Sequence, residues 1–241
     1  MKKHNLEKRR LCKNGLLFKL VKSICYLLIL CSFFGCSSQE KNPIYYKGRT
    51  FIYQVKTLKD STVLRTDKIK LKVTDNLSAK IMFLGKQTGI KWVYETVVDS
   101  TSGKPITETT GVIDDSTQVY LHPPRLNFMS FTEIPPFPNI FLPPDTRSTI
   151  TVTTSVVKGF GKLDGKKLKQ TFKVIGKENL TLFDKKYKDV WVIQGGNTNY
   201  IDKIGQYKVT YWFDQNYGFI RMKYEKPNGE IVDLKLKPTE D

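Results

Sequence analysis

The sequence predicts an all-β protein: a single curved antiparallel sheet, or a half-open β-barrel, of about ten strands with one long loop rich in proline and phenylalanine. Three observations predict it. Apolar and polar residues alternate with period two from Arg49 onward. Gly, Asn, Asp and Pro punctuate those runs as hairpin turns do. No stretch after Cys36 keeps a helical period over three turns.

The first 35 residues read as a removable leader. Lys2, Lys3, Lys8, Arg9, Arg10, Lys13, Lys19 and Lys22 form a basic start. The apolar run from Ile24 to Phe34 is too short for a bilayer span, which needs about 20 residues. Gly35 then precedes Cys36 and two serines, the arrangement in which a cysteine thiol takes a diacylglycerol. Cys36 is therefore the expected lipid anchor and mature N-terminus. Residues 36–44 read as a polar tether, and 45–238 as a single all-β domain. Cys12, Cys25 and Cys31 all fall in the leader, so no disulfide is expected in an exported chain of this kind. Removing the leader takes away eight Lys/Arg and one Glu, leaving 32 basic against 22 acidic residues, a net charge near +10 rather than +17.

The strands follow in order. Phe51, Tyr53 and Val55 share a face opposite Gln54 and Lys56, and Ile69, Leu71 and Val73 share another between lysines. Ile90, Trp92, Tyr94, Thr96 and Val98 form a third. Ile150, Val152, Thr154 and Val156 form a fourth, and Leu168, Gln170, Phe172 and Val174 a fifth. Tyr207, Val209, Tyr211 and Phe213 lead through a turn at Asp214–Gly218 to Ile220, Met222 and Tyr224. A second turn at Lys226–Gly229 leads to Val232, Leu234 and Leu236. Trp92 and Trp191 sit on the apolar phase. Trp212 falls opposite Tyr211 and Phe213, which makes that strand apolar on both faces and predicts burial on both sides.

His122–Pro144 breaks the pattern. Seven of the eleven prolines lie there, interleaved with Phe128, Met129, Phe131, Ile134, Phe137, Ile140, Phe141 and Leu142. Proline removes ladder donors, so no central strand runs through it, yet it is too apolar for a solvated linker. Two readings stand: a crossover packed over an open end of the sheet, or a lid over an apolar cavity or partner surface. Under the second, Phe128, Met129, Phe131, Phe137, Ile140, Phe141 and Leu142 are the candidate ligand contacts, with Phe128, Phe131, Phe137 and Phe141 packed together over one mouth.

A lysine-rich stretch, 158–188, carries Lys162, Lys166, Lys167, Lys169 and Lys173. It suits anionic lipid headgroups or glycans, or equally a solvated strand face guarding an edge. Arginine is scarce there, and an exported protein is not expected to meet nucleic acid. Chemistry is thin. His122 is the only histidine after the leader, so a His/Cys metal site cannot be assembled, and for a Ser-His-Asp triad the sequence supplies no more than one candidate member. Asp114-Asp115, Asp75-Asn76 and Asp214-Gln215-Asn216 read as turns rather than as acid/base or calcium sites. No cofactor or metal is expected.

The closing stretch Tyr211-Trp-Phe-Asp-Gln-Asn-Tyr-Gly-Phe-Ile-Arg-Met-Lys-Tyr-Glu225, with Asn228-Gly229 and Val232–Leu236, resembles the final hairpins of envelope lipoproteins of the Bacteroidota. Gly48–Val55 adds a weaker match. Those proteins look like the TapB-like and domain-of-unknown-function families, whose folds are similar to the LolA/LolB-type lipoprotein carriers. The resemblance implies a curved sheet around a helix-plugged apolar cavity. No helical plug is legible here, so the Pro/Phe loop would have to serve. The expected function is that of a non-enzymatic, monomeric, lipid-anchored envelope protein on the outer membrane facing the periplasm. It would bind an apolar ligand (a lipid or a lipoprotein acyl chain) or an envelope partner. The alternative is a structural or interaction module with a filled core.

Overall fold

Most of the alternating runs pair with their sequence neighbours in the computed structural model, which describes residues 42–76, 87–155, 165–198 and 205–238. The strands are β1 (Thr50–Lys59), β2 (Thr62–Asn76), β3 (Thr88–Val98), β4 (Pro105–Asp114), β5 (Gln118–Leu121), β6 (Asn139–Phe141), β7 (Thr149–Ser155), β8 (Lys167–Leu182), β9 (Lys185–Asn197), β10 (Lys208–Asp214), β11 (Gly218–Glu225) and β12 (Ile231–Leu236). A 3-10 helix, η1, covers Asn127–Glu133 between β5 and β6. All twelve strands join one antiparallel sheet in the order β6-β5-β4-β3-β2-β1-β12-β11-β10-β9-β8-β7. The sheet exceeds the expected ten strands by the short β5 and β6, of four and three residues, too brief to show a period.

That order dictates curvature. β6 and β7 are consecutive in the chain yet lie on opposite edges. Laid flat, twelve strands about 4.8 Å apart would separate the edges by roughly 50 Å. The eight residue steps from Phe141 to Thr149 reach at most about 29 Å. The sheet must therefore curl until its edges approach. They do: the Phe141 ring on β6 stacks with Phe172 on β8 at 6.4 Å. The result is a half-open barrel with a seam between β5–β6 and β7–β8.

The concave face is the core. Tyr53, Val55, Ile69, Leu71, Ile90, Trp92, Tyr94, Val112, Tyr211, Met222 and Leu234 are all essentially inaccessible. Two tyrosines in this interior find backbone partners: Tyr53 donates to Phe219 O at 2.9 Å, and Tyr45 Oη accepts from Phe219 N at 3.2 Å. The mouth from which β1 starts is closed by Ile44 and Tyr45, with Tyr45 N donating to Asp114 Oδ2 at 2.8 Å.

Two expectations are corrected, and a third, the burial of Trp212, is met by an unexpected cover. Val98 is 59% exposed, because a register shift between Tyr94 and Val98 breaks the alternation before the strand ends. Val152 is 41% exposed, since β7 is an edge strand with β8 as its one neighbour. Trp212 is buried, but not by a second layer. Its Nε1 donates to Glu178 Oε1 at 2.6 Å and the Arg221 guanidinium lies 4.5 Å above its ring. Arg221 is itself held bidentately by Asp233 at 2.9 Å. Charged side chains thus cover an aromatic on the convex face with their apolar stems.

Gly195 shows how tightly the β8–β9–β10 region packs. A Cβ there would collide with Thr171 O and meet Phe172 Cβ at 2.9 Å. Gly195→Ala is expected to cost about 1–3 kcal/mol through overpacking. Urea denaturation checks this, and an unchanged midpoint would show that β8 yields freely.

Candidate functional site

The Pro/Phe segment leaves β5 at His122, crosses the concave face and returns as β6. Its first half plugs the barrel at the end away from residue 42. Met129 is fully buried, and Phe131 packs edge-on against Tyr224 at 5.4 Å and stacks on Tyr207 at 6.1 Å. Phe128 meets Tyr94 edge-on at 5.8 Å, under the Arg65 guanidinium at 4.3 Å. Thr132 is buried and turns its hydroxyl onto Pro124 O and Met129 O at 2.7 and 2.9 Å, which ties the helical turn to the chain entering it. A helical plug is therefore present. Its seven-residue 3-10 helix escapes a search for a helical period sustained over three turns.

Charge fixes the entry to the plug. Glu108 on β4 accepts from the Arg125 backbone N–H at 2.7 Å and from Arg125 Nε at 2.8 Å. It also accepts from Leu126 N at 3.2 Å. Arg125 Nη1 reaches Glu133 at 2.9 Å. The exit is fixed from the opposite side of the sheet, where Gln170 Nε2 donates to Ile134 O at 2.6 Å and Tyr211 Oη to Pro136 O at 2.5 Å.

Between entry and exit, at the seam, lies a cavity of about 290 Å³. Its apolar lining is Tyr120, Pro136, Phe137, Val152 and Phe172, and its polar lining is His122, Arg125, Glu133, Asn139, Thr154 and Gln170. The Phe137 ring sits 4.5 Å from His122 and 6.0 Å from Tyr120. Asn139 Oδ1 is buried there without a hydrogen-bond partner.

Burial pulls the His122 pKa down to about 4, against the opposing pull of the Pro123 carbonyl 3.1 Å from Nδ1. A histidine held neutral in the fold and charged when unfolded costs stability in acid. The unfolded chain takes up its proton near pH 6.5, so stability falls as pH drops from there toward 4. The contribution is on the order of 3 kcal/mol across that window. His122→Gln should flatten the pH dependence of unfolding between pH 6.5 and 4. An unaltered slope would place the dependence elsewhere.

The candidate residues separate. Phe128, Met129 and Phe131 belong to the plug, Phe137 lines the seam cavity, and Ile140 is buried on β6. Phe141 is 42% exposed over Phe172, and Leu142 is half-buried beyond it. Phe128, Phe131, Phe137 and Phe141 therefore do not form one lip, because η1 and β6 point them to opposite ends of the segment. Lys166, Lys167, Lys169 and Lys173 are exposed at and along the start of β8, whereas Lys162 and Cys36 lie outside the described residues. The residues that sequence reasoning passed over are Tyr120, Arg125, Glu133, Asn139 and Gln170. Gln170 alone carried a signal, as a polar residue on the inward phase of its strand.

Among the described residues no helix is long and apolar enough to cross a membrane. No protein-family model matches the chain, and no curated protein matches it by sequence. It is similar in structure to a "putative lipoprotein" of Parabacteroides distasonis, at 13% identity and TM-score 0.47, over 83% of this chain and 100% of that one. It is also similar to a "putative exported protein with YmcC-like fold" of Bacteroides fragilis, at 10% identity and TM-score 0.42, over 83% and 99%. A LolA superfamily protein of Nitrosomonas europaea gives 12% identity and TM-score 0.29, over 81% and 87%. The TapB-like part of the resemblance has no counterpart among these three.

Proposed function

We propose that the chain is a monomeric, non-enzymatic protein of the cell envelope. It is tethered through acylated Cys36 to the outer membrane, faces the periplasm, and holds one apolar segment of a lipid or lipoprotein acyl chain in the seam cavity. The carrying observation is that cavity. At about 290 Å³ it stands at the lower end of the roughly 300–1,000 Å³ that ligand pockets occupy. It admits part of one chain, not a whole multi-acyl lipid. Phe137 and Phe172 supply an apolar wall, and the unpartnered Asn139 Oδ1 suits an amide or hydroxyl donor where acyl chain meets headgroup. Non-enzymatic binding suits the charges, since Arg125 is engaged by Glu108 and Glu133 and burial makes His122 a weak base.

The second reading, a structural module with a filled core, is favoured by the plug: Met129 and Phe131 occupy the space a larger cavity would need. One variant separates the two. Phe137→Ser is expected to weaken binding of a fluorescent fatty-acid probe several-fold while unfolding shifts little, because Phe137 is only half-buried. Absence of probe binding to either form, together with loss of several kcal/mol, would leave the structural module. Native mass spectrometry with lipid extraction would identify any molecule carried through purification.

A further inference from the structure

The mouth opposite the plug is chemically unlike the seam. A cavity of about 470 Å³ opens there, lined by Tyr46, Arg49, Phe51, Lys185, Tyr187 and Tyr217, and Lys237 stands at its edge. Arg49 is held rigidly. Its Nη1 donates to Ile44 O at 2.8 Å and its Nη2 to Asn216 O at 3.1 Å, while its guanidinium lies 4.9 Å from the Phe51 ring centre and 5.5 Å from that of Tyr46. Lys185 Nζ sits 3.7 Å from the Tyr217 ring centre. Both cations are engaged by neutral carbonyls or ring faces, and among the described residues neither forms an ion pair. Asp214, an acid of this region, turns its Oδ1 to the backbone N–H groups of Asn216 and Tyr217 in its own turn.

One polar group in the lining of this mouth lacks a partner. The Tyr187 hydroxyl is buried and makes no hydrogen bond, on a residue 3% exposed. A buried O–H without an acceptor is costly. Lys185 Nζ lies 5.3 Å from the Tyr187 ring centre, and Arg49 lines the same cavity. An oxyanion with several acceptor oxygens would engage both cations.

The rim of this mouth breaks a local rule. β8 and β9 are joined by the two-residue turn Phe183-Asp184, and Phe183 has φ +54°. Such turns favour Asn or Gly, which accept the left-handed region without strain. Phe183 is moreover 40% exposed, and Tyr46 on the same rim is 55% exposed. Exposed aromatics beside lysines and an arginine are the composition of a surface that enters the headgroup layer of a bilayer. Residue 42 enters at this same mouth, and the six residue steps from Cys36 span at most about 22 Å.

We propose that this mouth rests on the bilayer and seats the phosphate of an anionic phospholipid headgroup between Arg49 and Lys185. Phe183 and Tyr46 enter the interfacial layer. The orientation rests on the anchored reading above; the headgroup site does not.

The full chain, reconstituted into vesicles of phosphatidylcholine alone or mixed with phosphatidylglycerol, tests it by flotation and amide hydrogen exchange. Exchange at Tyr46–Thr50 and Leu182–Lys185 should slow only in the phosphatidylglycerol vesicles and recover at high salt. The protection should disappear in Lys185→Gln and in the double variant Arg49→Gln/Lys185→Gln. Phe183→Gly should reduce it without lowering thermal stability, because glycine accepts the backbone conformation. Equal protection on both vesicles, or protection retained in the double variant, would overturn the proposal. The same protection from dissolved glycerol phosphate without anionic vesicles would make this a site for a soluble anion and overturn membrane docking. If the chain fails to float with phosphatidylcholine vesicles, the anchored reading fails. Flotation with the phosphatidylglycerol vesicles then decides the headgroup site on its own.

Discussion

Phe131→Ala is expected to destabilise the protein by about 3–5 kcal/mol, the usual cost of deleting a buried phenylalanine ring. Phe131 is 7% exposed and contacts Tyr224, Tyr207 and the Lys226 ammonium 4.6 Å above its ring. Its loss would open a void at the end of the barrel that η1 closes. Phe141→Ala, on the same segment but exposed, should cost well under half as much. Urea denaturation of the pair gives the comparison. Equal losses would mean that the Pro/Phe segment lies over the barrel without entering it. The result also bears on ligand capacity: if Phe131→Ala folds, the void should enlarge the space available to an apolar probe.

Removing Arg125 should be nearly as damaging, for an electrostatic reason. Its guanidinium sits between Glu108 and Glu133, whose side chains are only 7% and 10% exposed. Arg125→Met would leave two neighbouring carboxylates without their counter-ion, a change that costs about 3–5 kcal/mol when a buried pair is broken. The lower end applies here, because the arginine side chain is itself 31% exposed. Adding Glu108→Gln and Glu133→Gln should restore most of the loss, since a neutral set leaves no charge uncompensated. The Glu108→Gln amide can still accept from the Arg125 and Leu126 backbone N–H groups with its carbonyl oxygen. A triple variant no more stable than the single would show that Arg125 acts through packing of its stem rather than through charge.

The antiparallel all-β architecture was legible because alternation is a local property. Lys68–Thr74 needs no knowledge of its neighbours to show that Ile69, Leu71 and Val73 share a face, and the turns at Asp214–Gly218 and Lys226–Gly229 set hairpins between adjacent runs. The proline-rich segment likewise declared itself, because no solvated loop carries eight large apolar residues. The places where local reading failed have local causes. A register shift exposed Val98, and a seven-residue 3-10 helix was too short to show a period.

The two cavities were not legible, because each joins residues far apart in the chain. The seam exists because β1 pairs with β12, which makes β6 and β7 the edges of a twelve-stranded sheet whose connecting segment is too short to leave it flat. Only that closure brings Tyr120 and Asn139 opposite Val152 and Phe172. The basic mouth forms because the start of β1 and the β8–β9 and β10–β11 turns all lie at one end of the barrel, placing Arg49, Lys185 and Tyr217 together. Alternation tells each side chain which face to take, at no cost in sequence distance. Among the described strands one pairing joins partners distant in sequence, β1 with β12; it depends on closing a loop of more than a hundred residues, and that balance of pairing energy against chain entropy is settled by the whole fold at once.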